Sequence, residues 1–307
     1  MENHQIWNVS TQQIQIFLKA VELKNFTQVA NYFNFTPSMV SKTITAMEEE
    51  LGLNLFIRKP HNFAPTPTAI FLAGEWRQTI VSFNNSIQKA RYFEEQQGYR
   101  ITLGFVDSSD TIDNLIMDAV RNYTAAHPKT NIVIEKHDMH RAVELLNNGL
   151  LDIVLTSEME IPYLDEHRLP WEKVVTTDIA VYVPKSNHLF ERESLDFPDL
   201  AGETFLGLNP LMHPTYHKWL LETCKKHGLV PEISATYRTV RSLMFSLKLY
   251  DSVFIGETIT SDWCDEDLKM FVLPETSFTL IAWRGPDVVK EVLDFKDFLK
   301  TVYPEHF

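Results

Sequence analysis

Two short apolar-striped segments separated only by Asn34-Phe35 constrain the fold of this chain more than any other feature. The spacing predicts a helix from about Thr27 to Phe33, with Thr27 as its N-cap, and a second helix restarting at Thr36-Pro37. A hydroxyl at the N-cap satisfies an orphan backbone donor, and proline at the first helical position lacks the N–H that would be orphaned there. In the second helix Val40, Ile44 and Met47 recur at i, i+4, i+7 and define a buried face. Ser38, Ser41, Lys42 and Thr45 occupy the other face. Short polar groups with one cation allow a helix backbone to approach the floor of a major groove. Upstream, Ser10-Thr-Gln-Gln13 is a capping-box pattern, followed by the stripe Ile14, Phe17, Leu18 and Val21. Two helices on so tight a turn form a helix-turn-helix. The pattern alone also suits a three-helix bundle whose outer face is polar.

Beyond the second helix, Leu53 to Lys59 reads as an extended apolar run ending in two cations, and Pro60 to Pro65 turns the chain back as a wing would. Arg58, Lys59 and His61 at that tip suit phosphate or minor-groove contact, or form a solvated basic turn.

Together these residues carry a resemblance. Phe26-Thr27 with Ala30, Thr36-Pro37-Ser38, Val40-Ser41-Lys42, Ile44, Met47-Glu48, Leu51-Gly52, Leu55-Phe56-x-Arg58 and Thr66 stand in the order and spacing of one known module. It is the winged helix-turn-helix of LysR-type transcriptional regulators. The resemblance implies a DNA-binding domain over residues 1–66, with Thr27, Thr36, Pro37, Ser38, Ser41, Lys42 and Thr45 facing bases and phosphates and Arg58 anchoring the wing. The chain departs from the pattern at Lys42, where the family usually has Arg, and at Pro60, His61 and Ala64, where it has glycines or more cations. Lysine lacks the planar fork that arginine presents to guanine, so weaker base discrimination is expected there.

The formal net charge of -13 belongs elsewhere in the chain. Acids and cations balance over residues 1–66 and again over 67–97, so the excess acid lies entirely in residues 98–307. An acidic mass is repelled by phosphate and belongs to a part with a different partner.

Between the two, Thr66-Pro67 restarts a helix along which Ala69, Ala73, Trp76, Ile80, Phe83, Ile87 and Ala90 are spaced alternately four and three apart. Such a seam packs either on its own domain or on a second chain. The resemblance implies the second, an antiparallel dimer helix over residues 67–97 with Ala73, Trp76, Ile80, Phe83, Ile87 and Ala90 in contact, within a homodimer or homotetramer. Gln96-Gln97-Gly98 is the expected hinge.

From Arg100 onward strand and helix alternate: strand Ile101–Val106, helix Thr111–His127, strand Asn131–Lys136, helix Arg141–Asn148 and strand Leu151–Leu155. This order predicts a parallel sheet with ligands at the carboxyl ends of its strands. Thr204–Leu208, His217–His227, Glu232–Tyr237, Thr239–Lys248 and Ser252–Ile255 repeat the alternation. Lys269–Leu273 and Phe278–Trp283 are expected to return the chain to the first unit, closed by a helix from Val288 to Val302. The expected fold is thus α/β multidomain: an N-terminal winged helix-turn-helix, a long linker helix and a C-terminal two-lobed effector domain over 98–307. Lobe I spans about 98–175 and 268–307, and lobe II about 176–267. This part is similar to the family's effector domain, which is like a type II periplasmic binding protein. The match is sharpest at Leu145-x-x-x-Gly149-x-Leu151-Asp152-Ile153 and at Leu200-Ala201-Gly202-Glu203. Leu249-Tyr250-Asp251 replaces a Gly-rich segment, and Gly256 stands where proline is usual.

The post-strand loops would line the cleft: Asp107, Ser108, Ser109 and Asp110; His137 and Asp138; Thr156, Ser157 and Glu158; Asn209; and Thr239. Hydroxyls and helix N-termini suit a carboxylate. Asp107, Asp110, Asp138 and Glu158 add negative charge in the same place, which points to a neutral or amine-bearing effector unless these acids cap helices and face water.

Little suggests catalysis. His213 and His217 lie at i, i+4 without a third ligand, His137 and His140 are similar, and no GxSxG, GxGxxG or P-loop occurs, so no metal, cofactor or enzymatic activity is expected. Cys224 and Cys264 form no CxxC and are expected as small buried hydrophobes. The polar N-terminus MENHQIWNVS shows no signal, and no apolar stretch reaches about 20 residues, so a cytoplasmic protein without membrane contact is expected. The expected partners are double-stranded DNA, a small-molecule effector, further copies of the chain and the transcription machinery. The rival expectation is a cytosolic small-molecule-binding protein or enzyme whose N-terminal helices serve only dimerisation.

Overall fold

A computed structural model describes residues 7–59, 62–96, 98–106, 110–285 and 288–303. The chain divides between Gln88 and Lys89 into two compact units.

In the first unit Ser10 caps α1 (Thr11–Leu23) through a complete capping box with Gln13. The next helix, α2 (Phe26–Phe33), is capped by Asn25, whose side chain accepts the N–H groups of Thr27 and Gln28. Thr27 therefore lies inside the first turn, a correction to its expected capping role: the amide oxygen of Asn25 already meets the N–H groups that a cap would satisfy. Asn34 adopts the left-handed conformation (φ 57°, ψ 40°) and turns the chain in one step. Thr36 then caps α3 (Pro37–Leu51), accepting the Met39 N–H, with Pro37 in the first turn.

Strand β1 (Phe56–Lys59) pairs antiparallel with β2 (Asn62–Pro65), from Phe56↔Pro65 to Lys59↔Asn62. The paired strand is shorter than the expected run from Leu53. The Thr66 hydroxyl accepts the Ala69 N–H at 3.1 Å and donates to the Asn54 carbonyl at 2.9 Å, starting α4 (Pro67–Gln96). Phe17, Val40, Ile44, Met47 and Leu55 form the core together with Ala69 and Ala73 of α4.

The second unit contains a six-stranded sheet in the spatial order β4 (Thr130–His137), β3 (Tyr99–Val106), β5 (Ile153–Ser157), β10 (Leu268–Trp283), β6 (Trp171–Pro184) and β9 (Phe254–Glu257). Strands β3 (Tyr99–Val106), β4 (Thr130–His137) and β5 (Ile153–Ser157) are mutually parallel where they pair, joined through α5 (Asp110–Ala126) and α6 (Met139–Asn147). Both faces are covered, which accounts for the near-continuous apolar runs in these strands. Ile101, Leu103 and Ile116 pack with Phe295 and Leu299 of α10 (Lys290–Val302), while Leu145, Leu146 and Val154 pack on Leu164 of α7 (Ile161–Glu166).

A third core surrounds Tyr182, Phe205, Leu220, Leu243 and Phe254. It gathers β7 (Thr204–Leu208) and β8 (Glu232–Tyr237), which form a parallel pair, with α8 (Pro214–Lys226), α9 (Val240–Leu247) and β9 (Phe254–Glu257). Two long antiparallel strands, β6 (Trp171–Pro184) and β10 (Leu268–Trp283), run from one core to the next. Val175 belongs to the core beside α5, and Ile179 to Val183 belong to the third. The expected pair Lys269–Leu273 and Phe278–Trp283 is therefore one strand, with a register shift between Val272 and Thr276 where it passes between cores. The β9 strand pairs antiparallel with β6, and Val253 just before it makes an isolated parallel bridge with Phe205 of β7.

Candidate nucleic-acid interface and ligand cleft

On α3, Val40, Ile44 and Met47 are fully buried, whereas Thr36, Pro37, Ser38 and Lys42 are exposed and Ser41 and Thr45 half-buried. Thr27 is exposed on α2. Met39, omitted from the expected polar face, is 43% exposed in the first turn of α3. Arg58 and Lys59 have their backbones in β1; their side chains and His61 lie outside the described residues.

Three acids of this unit, Glu22, Glu48 and Glu50, are engaged, while Glu49 is exposed. Oε1 of Glu48 accepts the backbone N–H of Leu55 at 2.8 Å and of Phe56 at 3.0 Å, so α3 holds the start of β1. Glu50 accepts the Asn8 N–H at 2.8 Å, and Glu22 pairs with Lys19 at 2.8 Å. A carboxylate that accepts two amides of its own fold is turned away from an approaching phosphate.

Along α4 the expected seam divides. Ala69 and Ala73 are fully buried in the first core, and Trp76 meets Phe17 edge-on at 5.5 Å. Ala73 is thus buried in its own domain, and Trp76 packs on Phe17 while staying half-buried. Ile80 is nearly buried, while Phe83 and Ile87 remain 46% and 37% exposed beside the exposed Ala90.

In the second unit a cavity lies at the carboxyl ends of β3, β4 and β7. Its wall is formed by Val106, His137, Asp138, Met139 and Met159, and from the third core by Leu208, His213, Tyr216, Thr239, Val240, Phe254, Gly256, Glu257, Ile259 and Thr260. Of the expected lining, His137, Asp138 and Thr239 are present. Thr156 and Ser157 line an adjoining cavity that shares Val106, Met139, Glu257 and Ile259 with the first. Asp110 is an exposed residue in the first turn of α5, near Arg241, and Asn209 caps a turn by accepting the Leu211 N–H; neither lines the cavity. Asp107, Ser108 and Ser109 lie outside the described residues.

The residue that sequence reasoning missed is Glu257, whose Oε1 accepts the Ser157 hydroxyl at 2.8 Å and also the Ser277 hydroxyl. Burial pushes its carboxyl above the usual range, opposed by those two hydroxyl bonds, and Glu158 adds negative charge. Burial likewise raises Glu158. Asp138 stands at the N-cap of α6 without a side-chain capping bond. His213 is 3% exposed and its Nε2 donates to the Arg238 carbonyl at 2.8 Å, while its Nδ1 has no partner. Tyr216 donates to the Ile255 carbonyl at 3.1 Å, and burial raises its phenol far above the ordinary value. A Cβ on Gly256 would meet the Phe254 ring at 2.8 Å, so glycine there leaves the aromatic wall in place. That glycine, in a position where the family carries proline, was the one sign of this wall in the sequence.

Beside the cavity, Glu160 is fully buried between the His140 Nδ1 of α6, at 3.0 Å, and the Thr215 hydroxyl of α8. Among the described residues no group of three or more His, Cys, Asp and Glu comes together to hold a metal ion, and no helix is long and apolar enough to cross a membrane.

Comparison with known proteins gives the same division. The family model for the bacterial regulatory helix-turn-helix protein, lysR family, matches residues 11–69, and that for the LysR substrate binding domain matches residues 94–281. The chain is 21% identical to the uncharacterized HTH-type transcriptional regulator YybE of Bacillus subtilis (strain 168), over 64% of its own length and 65% of that protein's. It is 24% identical to the HTH-type transcriptional regulator AlsR of the same organism, over 72% of this chain and 71% of that one. Identity to the HTH-type transcriptional regulator XapR of Escherichia coli (strain K12) is 21%, over 84% of each. Among solved structures the fold is similar to CbnR, a LysR family transcriptional regulator, with a TM-score of 0.66 at 12% identity over 96% of this chain and 99% of that one. Full-length BenM gives 0.54 at 19% identity, over 96% and 97%. Full-length CbnR complexed with its target DNA gives 0.51 at 12% identity, over 96% and 99%. These relatives are transcriptional regulators rather than enzymes. With one family model alone matching more than half its length, the chain belongs to the LysR family of transcriptional regulators.

Proposed function

We propose that this protein binds duplex DNA through the N-terminal face of α3 and adjusts that binding in response to a small molecule held in the cavity beside Glu257. The reading is organised as a winged helix-turn-helix over residues 1–66, a linker helix over 67–97 and an effector domain over 98–307. Ser38, Ser41, Lys42 and Thr45 face the major groove, with Thr27, Thr36 and Pro37 at its edge and Met39 offering an apolar contact to a thymine methyl. Arg58, Lys59 and His61 contact the backbone or the minor groove. Phe83, Ile87 and Ala90 join two copies, so that two weakly cationic readers act on two half-sites and gain through effective concentration. The effector changes the geometry of the oligomer on DNA, and the protein works inside the cell.

The observation that carries this reading is the exposed Ser38–Lys42 face on a helix capped at Thr36 and fixed to the wing through Glu48. Selection of a randomised duplex pool on the full chain, followed by fluorescence anisotropy on the enriched sequence, tests it. Affinity should fall steeply as salt rises, and Lys42→Ala and Arg58→Ala should each weaken binding. No enrichment, or equal affinity in both variants, would overturn the reading face.

A further inference from the structure

Resting on the cavity as the effector site, we propose that its ligand is a compact apolar molecule carrying a protonated amine. Three independent features of the wall point there.

The first is a pair of carboxyl groups without a cation. Glu257 and Asp138 both line the cavity, and among the described residues neither is paired with a cation. Oε1 of Glu257 takes both serine hydroxyls, and Oε2 takes no bond from a described residue. Among the described residues of the wall there is no lysine or arginine. A carboxylate ligand entering here would meet Asp138 and no cation among the described lining residues, whereas an ammonium would pair with Asp138 and favour ionisation of Glu257, whose carboxyl burial holds above the usual range. A charge is accommodated away from water only when it is paired and hydrogen-bonded.

The second feature is aromatic. Tyr216 and Phe254 both face the cavity with ring centroids 6.1 Å apart, and Met139, Met159, Leu208 and Val240 complete an apolar lining. A cation over an aromatic face is held by the ring quadrupole, and apolar walls accept the body that carries it.

The third is an acceptor without a donor. The Nε2 of His213 must carry the hydrogen it donates to the Arg238 carbonyl, so in the neutral ring the partnerless Nδ1 presents a lone pair. His213 lines the cavity, and an amine N–H is a donor of the kind its Nδ1 lacks, which a carboxylate does not offer.

Thermal shift on the full chain with matched triplets decides the question. Benzylamine, benzyl alcohol and benzoate form one triplet, and cyclohexylmethylamine with its alcohol and carboxylate forms another, each titrated to millimolar concentration at pH 7. The amines should raise Tm by a few degrees, as binding at many times Kd requires, and the alcohols and carboxylates should not. Glu257→Gln, nearly isosteric and still able to accept from both serines, should weaken amine binding about tenfold or more through the lost charge pair. Asp138→Asn should weaken it in the same direction and serves as the second reader if Glu257→Gln fails to fold. Stabilisation by the carboxylates, equal stabilisation by amines and alcohols, or none by any amine overturns the proposal. So does an unchanged amine affinity in both variants. Failure of the DNA selection, by contrast, overturns the reading face and leaves the ligand result standing, so the two failures are told apart.

Discussion

The Nζ of Lys89 lies 2.6 Å from Oδ1 of Asp152, and the other oxygen of that carboxylate accepts the Thr102 N–H at 2.9 Å. Asp152 is 3% exposed, at the entry to β5, and Arg284 stands 3.8 Å away. Burial lowers the Lys89 ammonium below its usual value, opposed by the charge of Asp152. The last turns of α4 are thereby pinned to β3 within the second unit. Removing one member of a buried pair leaves the other uncompensated, so Asp152→Ala should destabilise this unit by roughly 3 kcal/mol. Denaturant unfolding followed by tryptophan fluorescence measures the loss, and a change below about 0.5 kcal/mol would show that the pair is no more than a surface contact.

Glu48 offers a contrast between charge and architecture. If its role is to hold β1 through two amides, Glu48→Ala should lower stability by about 2 kcal/mol, the order of the penalty for unsatisfied donors. It should also weaken DNA binding by loosening the wing. If the carboxylate acts instead by repelling phosphate, the same change would tighten binding, and anisotropy separates the two.

Lys42 is exposed on the expected reading face. If it contacts phosphate, Lys42→Ala should reduce the salt slope of log Kd by about 1 and weaken all sequences alike. Lys42→Arg should instead sharpen discrimination at a guanine by about 1–3 kcal/mol if the residue reaches a base edge. A salt titration of wild type and both variants reads either outcome.

His140 donates to the fully buried Glu160, and that bond holds its ring above the ordinary value of 6.5, with burial opposing and Glu144 contributing. Because the folded ring titrates above the unfolded one, its stabilisation is fully present below pH 6.5 and is lost as pH rises through the folded value. Tyr163 packs edge-on at 5.0 Å, and Thr215 donates to the other oxygen of Glu160. His140→Gln should therefore destabilise by about 1–2 kcal/mol at pH 5.5 and by less at pH 9, as measured by urea unfolding. A gap that widens with pH would contradict this pairing.

Oligomerisation should depend on the outer half of α4. Phe83→Asp with Ile87→Asp, both at exposed positions, should shift the protein to monomer in light scattering while leaving its fold intact. Ala73→Asp should instead unfold the first unit, because Ala73 is fully buried in its own core.

Much of the first unit was legible in the sequence because its determinants are local. The Ser10 box, the Thr36-Pro37 start and the stripe Val40, Ile44, Met47 act over one or two helical turns, and each stands in the structure where its spacing puts it. Misplacement of the α2 cap by two residues has the same local origin, since Asn25 and Thr27 both suit the position and only the backbone chooses between them.

What the sequence by itself determined is the order of elements, the buried faces of α1 and α3, the parallel strands at the start of the second unit and the split of charge between its ends. Only the tertiary structure decided what meets across distance. It brought Ser157, Glu257 and Ser277 together, joined Lys89 to Asp152, and packed Ala73 and Trp76 of α4 against the core of α1 and α3. Helix caps and stripes are set by neighbours within a few residues. A cavity wall is set by which strands adjoin and in what register, and β6 and β10 establish that through pairings separated by up to about a hundred residues of chain.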